Sequence, residues 1–335
     1  MNILVLKFGA IGDVIRTTSI LPGLKSKYKN CKIGWVTKKD SFGVLKNNSL
    51  IERVFLIDDN TKNKLINKKY DLVISLDDDY RACELASKVG SGKLVGAYLK
   101  NKKTAYTTDS ALWFDMGLIS KFGKQKADEL KAKNKQTYQE IMYGILGLRY
   151  KKQEPILNLT KKELNFGKKF AKKNGIKKND LVVGINTGAG GRWDDKKLSI
   201  GKTTELIGRL NKIKRVKMLL FGGPEEKERN KKIKQIIKEN IIDAGCGNSL
   251  MEFASLVDVC KILITSDSLA LHIGTALKKK IVAFFYPTST SEIELYNRGI
   301  KITGKGQDYC SYKPRCDYPP EWDIKKIANA VTDLI

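Results

Sequence analysis

Histidine and long apolar runs are scarce in this chain of 335 residues. It contains one histidine, and no apolar run approaches the roughly 18 to 20 residues of a membrane-spanning helix. The N-terminal MNILVLKFGAIGD lacks the basic segment and the uninterrupted apolar segment of a secretory signal. We therefore expect a cytoplasmic protein.

The six cysteines are scattered along the chain, a distribution that favours reduced thiols over a disulfide framework. Cys310 and Cys316 are close in sequence, but their C-x5-C spacing is not a common zinc signature. Since the single histidine leaves few other nitrogen ligands, no metal site is expected.

Basic residues greatly outnumber acidic ones, 63 to 36, which gives a formal net charge of +27. Such a charge attracts nucleic acid, anionic lipid or phosphorylated substrates, although many of the lysines fit solvated helix faces. The sequence has no helix-turn-helix, zinc-finger or aromatic RNP pattern, so no nucleic-acid partner is expected. The charge by itself does not choose between the remaining anionic partners.

Short apolar runs separated by helical stretches recur twice along the chain. The first series begins at NILVLK and the second at LVVGIN. Strands that alternate with helices of about 10 to 15 residues indicate βαβ units and parallel sheets. The sequence therefore predicts an α/β fold with two doubly wound Rossmann-like domains, 1–155 and 156–322, facing across a cleft. We expect the last helix, 323–335, to close back onto the first domain.

The glycine-bearing turn Phe8–Asp13 follows the first predicted strand and opens a helix. Glycines at this position allow another molecule to approach the backbone, and Asp13 lies at the helix start. On the sequence pattern alone, helix capping is the favoured explanation of an aspartate there. The turn lacks both the GxGxxG pattern of dinucleotide sites and the lysine of a P-loop.

Three further motifs follow strands of the second series. The loop TGAGGRWDDKK offers a phosphate cradle with two lysines, and GGPEE offers carboxylates for ribose hydroxyls or an ordinary helix start. In SDSLALHIGTA, the single histidine comes one helical turn after a serine at a helix N-terminus. Each motif is weak evidence when taken separately.

Taken in order, these motifs resemble glycosyltransferase family 9, the heptosyltransferases, over about Met1 to Tyr296. The resemblance implies the GT-B architecture, with an N-terminal acceptor domain and a C-terminal nucleotide-sugar domain. It implies an inverting transfer of a sugar, heptose from ADP-heptose, to a lipopolysaccharide-core or related glycan acceptor. No cofactor or metal is expected, and the lipid-linked acceptors of the family suggest peripheral association with an anionic inner-membrane surface.

The resemblance also implies roles for individual residues. Asp13 matches the general base, and Lys196 the lysine that stabilises the departing diphosphate. The residues that it assigns to the nucleotide sugar are Thr187, Gly188, Lys196, one of Glu225 and Glu226, Asp267, Ser268 and His272. Those that it assigns to the acceptor side are Lys7, Gly12 and Arg81.

The sequence departs from the family pattern at several positions. Acidic residues stand at 77–79, where a glutamine and neutral residues are usual, and Leu269 replaces a glycine. The carboxylates at 77–79 disfavour an acidic acceptor unless Arg81 and nearby lysines offset them. Two alternatives stay open: a nucleotide-sugar epimerase on the same architecture, and a non-catalytic nucleotide-binding sensor or scaffold.

Overall fold

The computed structural model describes residues 1–191, 193–237, 241–310, 316 and 318–335. The chain forms two compact units, of which the first contains residues 1–158 and 291–294. The second contains residues 159–290 and 295–335. Each unit is an α/β body built around its own sheet, which confirms the predicted fold class.

The first unit contains a sheet of six strands in the order β3-β2-β1-β4-β5-β6. All neighbouring strands are parallel except β5 and β6. The strands are β1 (Asn2–Leu6), β2 (Lys32–Thr37), β3 (Arg53–Leu56), β4 (Lys69–Ser75), β5 (Gly90–Lys100) and β6 (Lys103–Tyr106). The helices are α1 (Ile11–Thr17), α2 (Ile20–Lys27), α3 (Lys39–Leu45), α4 (Asp59–Ile66), α5 (Tyr80–Lys88), α6 (Ala111–Phe114), α7 (Lys124–Lys133) and α8 (Tyr138–Ile145).

The second unit has a sheet with the equivalent strand order, β12-β11-β10-β7-β8-β9, in which all neighbouring strands are parallel. The strands are β7 (Leu181–Asn186), β8 (Val216–Phe221), β9 (Ile241–Asp243), β10 (Ile262–Ser266), β11 (Lys280–Phe285) and β12 (Gly299–Thr303). The helices are α9 (Lys161–Lys173), α10 (Ile200–Leu210), α11 (Lys227–Ile236), α12 (Leu250–Val259), α13 (Leu269–Ala276) and α14 (Ile324–Asp333).

The central strands are buried on both faces, as their continuous apolar runs predict. Four of the five residues of β1 are buried, and all five residues of β10 are buried. In each sheet the strand order reverses direction beside such a strand, between β1 and β4 and between β10 and β7. Ligands of doubly wound folds bind at this switch point, outside the carboxyl ends of the strands.

The C-terminal helix corrects one prediction. We expected residues 323–335 to close back onto the first domain, but α14 belongs to the second unit. Its apolar side chains Ile324, Ile327 and Val331 join the core of that unit together with residues of β7, β8 and α10. Because these side chains recur at helical spacing on one face, α14 completes the layer of helices over the second sheet.

The segment 124–145 contains two separate helices, α7 and α8. The break occurs at 134–137, where Thr137 begins α8 with a capping box to Glu140. Within the described residues, no helix combines the length and the apolar character that are needed to cross a bilayer.

Candidate functional site

Two groups of polar side chains lie at the strand ends that flank the switch points, one group in each unit. In the first unit, Lys7 follows β1 directly and Asp13 lies in the first turn of α1. The carboxylate of Asp13 is about a third exposed and forms an ion pair with Arg16, at 2.9 Å. No side chain caps the start of α1, so Asp13 does not act as its N-cap.

Lys7 is buried beside two carboxylates. Its Nζ lies 3.4 Å from Oδ2 of Asp77. Burial alone lowers the pKa of the Lys7 ammonium, but the carboxylates of Asp77 and Asp13 outweigh this effect and raise the pKa above its ordinary value. Lys7 is therefore a cation held among acidic groups at the end of β1.

Asp77 supports the turn that precedes Asp13. Its Oδ2 accepts backbone N–H groups of Phe8 at 2.8 Å and Gly9 at 3.2 Å, and its Oδ1 accepts the N–H of Asp79 at 3.0 Å. This buried carboxylate is thus occupied by the β1–α1 turn and by Lys7. The acidic stretch at 77–79 therefore presents less charge to a ligand than its sequence suggests.

The remaining predicted acceptor residues differ in accessibility. Gly12 is buried in the first turn of α1. The side chain of Arg81 is 52% exposed and its Nε lies 3.9 Å from Asp79, which itself begins α5 and pairs with Lys38. Arg81 is therefore a solvent-exposed side chain at the start of α5.

In the second unit, Asp267 is the centre of a charged group at the end of β10. Nζ of Lys196 donates to its backbone carbonyl and to its Oδ2, both at 3.0 Å, and Nε2 of His272 lies 3.9 Å from its Oδ1. The three side chains are between 9% and 17% exposed, so each keeps a small accessible surface. The structure therefore brings together Lys196, Asp267 and His272, three of the residues that the resemblance assigns to the nucleotide sugar.

The electrostatics of this group favour the ionised form of Asp267. Burial by itself raises the pKa of the carboxyl, but the Lys196 ammonium and His272 outweigh burial. The hydrogen bond from Lys196 adds to this effect, and together they hold the pKa well below its usual range. The ion pair therefore holds the Lys196 ammonium at the end of β10.

The N-terminus of α13 begins beside the same carboxylate. Ser268 occupies the N-cap position but makes no capping hydrogen bond with its side chain. Its Oγ instead lies 3.2 Å from Nδ2 of Asn186 and 3.0 Å from Oγ1 of Thr265. Backbone N–H groups at a helix start that lack a side-chain cap are suited to bind an anion.

Asn186 is a residue that the sequence analysis missed. It ends β7, and its amide also donates to the carbonyl of Gly188 at 2.7 Å and to Thr265 at 3.1 Å. It therefore ties the glycine-rich loop to the end of β10. The sequence signal for it is an amide at the end of a buried apolar run, just before a glycine-rich loop.

The glycine-rich loop that follows β7 packs against the turn that follows β8. The hydroxyl of Thr187 is buried, 2.7 Å from Oδ1 of Asn230 and 2.9 Å from the carbonyl of Phe221. A Cβ added at Gly188 would lie 2.7 Å from Oε2 of Glu226, so any side chain at this position would displace that carboxylate. Of the next residues, Arg192 lies outside the described part of the chain.

The two glutamates of the GGPEE turn differ in their surroundings. Glu226 is buried, and its Oε2 accepts the backbone N–H of Gly223, three residues earlier, at 2.9 Å. Glu225 is exposed, and its carboxylate faces Gly191, whose added Cβ would lie 2.9 Å from it. Of the two, Glu225 is the one whose carboxylate is accessible to a ligand.

Among residues 1–191, 193–237, 241–310, 316 and 318–335, no group of three or more histidine, cysteine or acidic side chains is arranged to hold a metal ion. Cys310 and Cys316 are both buried free thiols.

One family model matches most of the chain. Residues 60–318 match the family model described as glycosyltransferase family 9 (heptosyltransferase). A segment of 134 residues is 32% identical to lipooligosaccharide heptosyltransferase 2 of Campylobacter jejuni. This segment is 39% of the chain and spans only 40% of that curated relative.

Solved structures share the fold over nearly the whole chain. A glycosyl transferase family 9 protein from Veillonella parvula superposes with a TM-score of 0.76 at 19% identity, covering 99% of this chain and 96% of its own. The ADP-heptose lipopolysaccharide heptosyltransferase II of E. coli gives a TM-score of 0.68 at 16% identity. The superposition covers 100% of this chain and 98% of the E. coli chain. At these identities the likeness concerns the fold.

Proposed function

The chain belongs to glycosyltransferase family 9, and from this premise we propose that it is an inverting glycosyltransferase. Its donor is a nucleotide sugar, ADP-heptose, and its acceptor is a lipopolysaccharide-core or related glycan. Asp13 is the general base and Lys196 the cation on the departing diphosphate. The observation that carries the proposal is the Lys196–Asp267–His272 group beside the start of α13, within the stretch that matches the family.

The donor side of the proposal rests on the second unit. A nucleoside diphosphate needs positive charge and N–H donors for its phosphates and an acidic group for its ribose hydroxyls. The ends of β7, β8 and β10, which are adjacent in the sheet, carry these groups. Lys196 and the start of α13 supply the first two, and the accessible carboxylate of Glu225 supplies the third.

The reaction begins when Asp13 accepts the proton of an acceptor hydroxyl. The oxygen attacks the anomeric carbon from the face opposite the nucleotide, the bond to the diphosphate breaks, and the configuration inverts through an oxocarbenium-like transition state. The leaving diphosphate gains negative charge. Lys196 and the α13 N-terminus stabilise it, and a preorganised donor of this kind contributes about 3 to 4 kcal/mol.

In this proposal the protein supplies the positive charge that stabilises the leaving diphosphate, so the reaction runs without an added metal. Asp267 keeps the ammonium of Lys196 in place through contacts at 3.0 Å to its carboxylate and its carbonyl. Nε2 of His272 lies 3.9 Å from the other carboxylate oxygen and adds positive charge beside it when protonated.

Calorimetry without added metal tests the proposal first, with ADP-, GDP- and UDP-linked sugars against the wild type and Asp13→Ala. We expect ADP-heptose to bind both proteins with similar affinity, because Asp13 lies in the first unit and acts only on the acceptor. Release of ADP in the presence of heptose-deficient lipopolysaccharide should then require Asp13. Failure of every nucleotide sugar to bind the wild type would overturn the proposal and favour a scaffold role.

We further propose that the protein works in the cytoplasm and associates peripherally with an anionic membrane surface. The net charge of +27 attracts anionic headgroups, each basic residue near the surface contributing about 1 kcal/mol. Sedimentation with vesicles of neutral lipid, with and without phosphatidylglycerol, tests this. Equal binding to both kinds of vesicle would contradict it.

A further inference from the structure

Arg16 lies between two carboxylates in the first unit. Its Nη2 is 2.9 Å from Oδ1 of Asp13, and its Nη1 is 3.8 Å from Oε2 of Glu292. The side chain of Arg16 is only 12% exposed. An arginine so placed controls the geometry of the carboxylate that it binds more strictly than a surface partner does.

Aromatic rings hold the guanidinium in place. Its carbon lies 4.0 Å from the centroid of the Tyr138 ring and 5.5 Å from that of Trp113. The two rings pack edge to face, with centroids 5.0 Å apart, and the Tyr138 hydroxyl lies 2.6 Å from Oγ1 of Thr17. The guanidinium of Arg16 is therefore held by cation–π attraction to these rings.

Glu292 reaches this cluster from a distant part of the sequence. Residues 291–294 pack in the first unit, whereas the residues on either side of them belong to the second. The backbone carbonyl of Glu292 accepts the N–H of Tyr138 at 2.9 Å, and its carboxylate pairs with Lys131 at 3.0 Å. Lys131, Glu292, Arg16 and Asp13 thus form a row of alternating charges, most of which is buried.

We propose that Arg16 is a positioning residue for Asp13 and that Glu292 anchors Arg16; this inference rests on the proposed function, in which Asp13 is the base. A base must lie within about 0.5 Å of its productive position, and a short carboxylate on a helix has several rotamers. The contact with Arg16 selects one of them. Glu292 contacts Nη1 of Arg16, and this contact holds the guanidinium in the orientation in which Nη2 binds Asp13.

The test compares Arg16→Met, Arg16→Lys and Glu292→Gln with the wild type, using ADP-heptose and heptose-deficient lipopolysaccharide. Arg209→Met is the matched control, because Arg209 also pairs with a carboxylate on its own helix, Glu205, but lies on α10 away from the site. Donor affinity is measured by calorimetry and folding by the thermal unfolding midpoint. Arg16→Met is measured again in an Asp13→Ala background.

We expect Arg16→Met to lower kcat by about 100-fold, the effect of a misplaced catalytic group, with donor affinity unchanged. Arg16→Lys should restore part of kcat, Glu292→Gln should lower it less, and Arg209→Met should leave it unchanged. In the Asp13→Ala background, Arg16→Met should cause no further loss, because residues that act as a unit are not additive. If Arg16→Met does not fold, Arg16→Lys and Glu292→Gln are measured in the same background.

Equal losses with and without Asp13 would overturn the positioning role, and so would a raised KM for the acceptor with kcat unchanged. Absence of transfer by the wild type would overturn the proposed function and this role together. The measurement on the wild type therefore separates the two failures.

Discussion

The Lys196 ammonium and the Asp267 carboxylate form an ion pair at 3.0 Å that joins the loop after β7 to the end of β10. The same ammonium also donates to the Asp267 carbonyl at 3.0 Å. Two contacts on one residue fix the position of a long, flexible side chain that is otherwise costly to order. The first prediction concerns this lysine.

Replacing Lys196 with methionine should lower kcat for transfer from ADP-heptose by about 10²- to 10³-fold, because a preorganised donor to the leaving group is lost. The affinity for ADP should fall as well. Calorimetry measures this affinity, and the rate of ADP release measures kcat. Lys234→Met is the control, since Lys234 forms a similar pair with Asp243 on an exposed part of the second unit. Similar kinetics in the two variants would contradict the role of Lys196.

Asp267→Asn should change how stability depends on pH. The Lys196 ammonium and His272 outweigh burial and depress the pKa of Asp267 in the folded state. The ionised carboxylate therefore stabilises the fold fully above about pH 4, the ordinary value for aspartate, and this contribution is lost as the pH falls toward the folded-state pKa.

The measurement is the difference in free energy of unfolding between the wild type and Asp267→Asn, by urea titration from about pH 7 to about pH 3. We expect the difference to narrow below about pH 4. When Asp267→Asn is compared in a Lys196→Met background, the difference in free energy of unfolding should depend less on pH. A difference that stays constant over this range would show that the ion pair does not contribute to stability.

The two glutamates of the GGPEE turn should separate binding from stability. Glu225→Ala should weaken ADP-heptose binding by about 10- to 100-fold, the cost of one hydrogen bond to a charged group, with little effect on unfolding. Glu226→Ala should lower the free energy of unfolding by about 1 kcal/mol, because the Gly223 N–H loses the carboxylate that accepts its hydrogen bond. Glu228→Ala, in the first turn of α11, is the control for both. Weaker donor binding in Glu226→Ala and lower stability in Glu225→Ala would contradict this assignment.

Asp77→Ala should impair transfer without changing donor affinity. The substitution leaves the N–H groups of Phe8 and Gly9 without their acceptor, at a cost of about 1 to 3 kcal/mol for a buried group. The turn that carries Asp13 would then lose its fixed position. Asp78→Ala, at an exposed neighbour, is the control. A normal kcat in Asp77→Ala would show that the turn holds its shape without this carboxylate.

Much of the candidate site follows from local sequence. Strand-length apolar runs mark β1, β7 and β10, and the polar or glycine-bearing residues directly after them lie at the carboxyl ends of parallel strands. For this reason the sequence locates Lys7 and Asp267 at strand ends before any tertiary structure is known. The helical spacing from Ser268 to His272 likewise puts both residues at the start of α13.

Tertiary structure decides which of these polar groups face a ligand and which hold the fold. Asp77 meets the N–H of Phe8 across 69 positions of sequence, and no local pattern encodes that pairing. The sequence alone does not distinguish Glu225 from Glu226. In the structure Glu226 is buried and accepts the N–H of Gly223, whereas Glu225 is exposed.

Periodicity determined that α14 has an apolar face, because 3.6 residues per turn bring Ile324, Ile327 and Val331 to one side. It did not determine which sheet that face covers, and only the packing shows that it is the second. In the same way, composition records that Glu292 is acidic, while the fold alone brings it to Arg16. Local order is fixed by backbone geometry and side-chain period, whereas contacts between distant segments depend on how the whole chain buries its apolar surface.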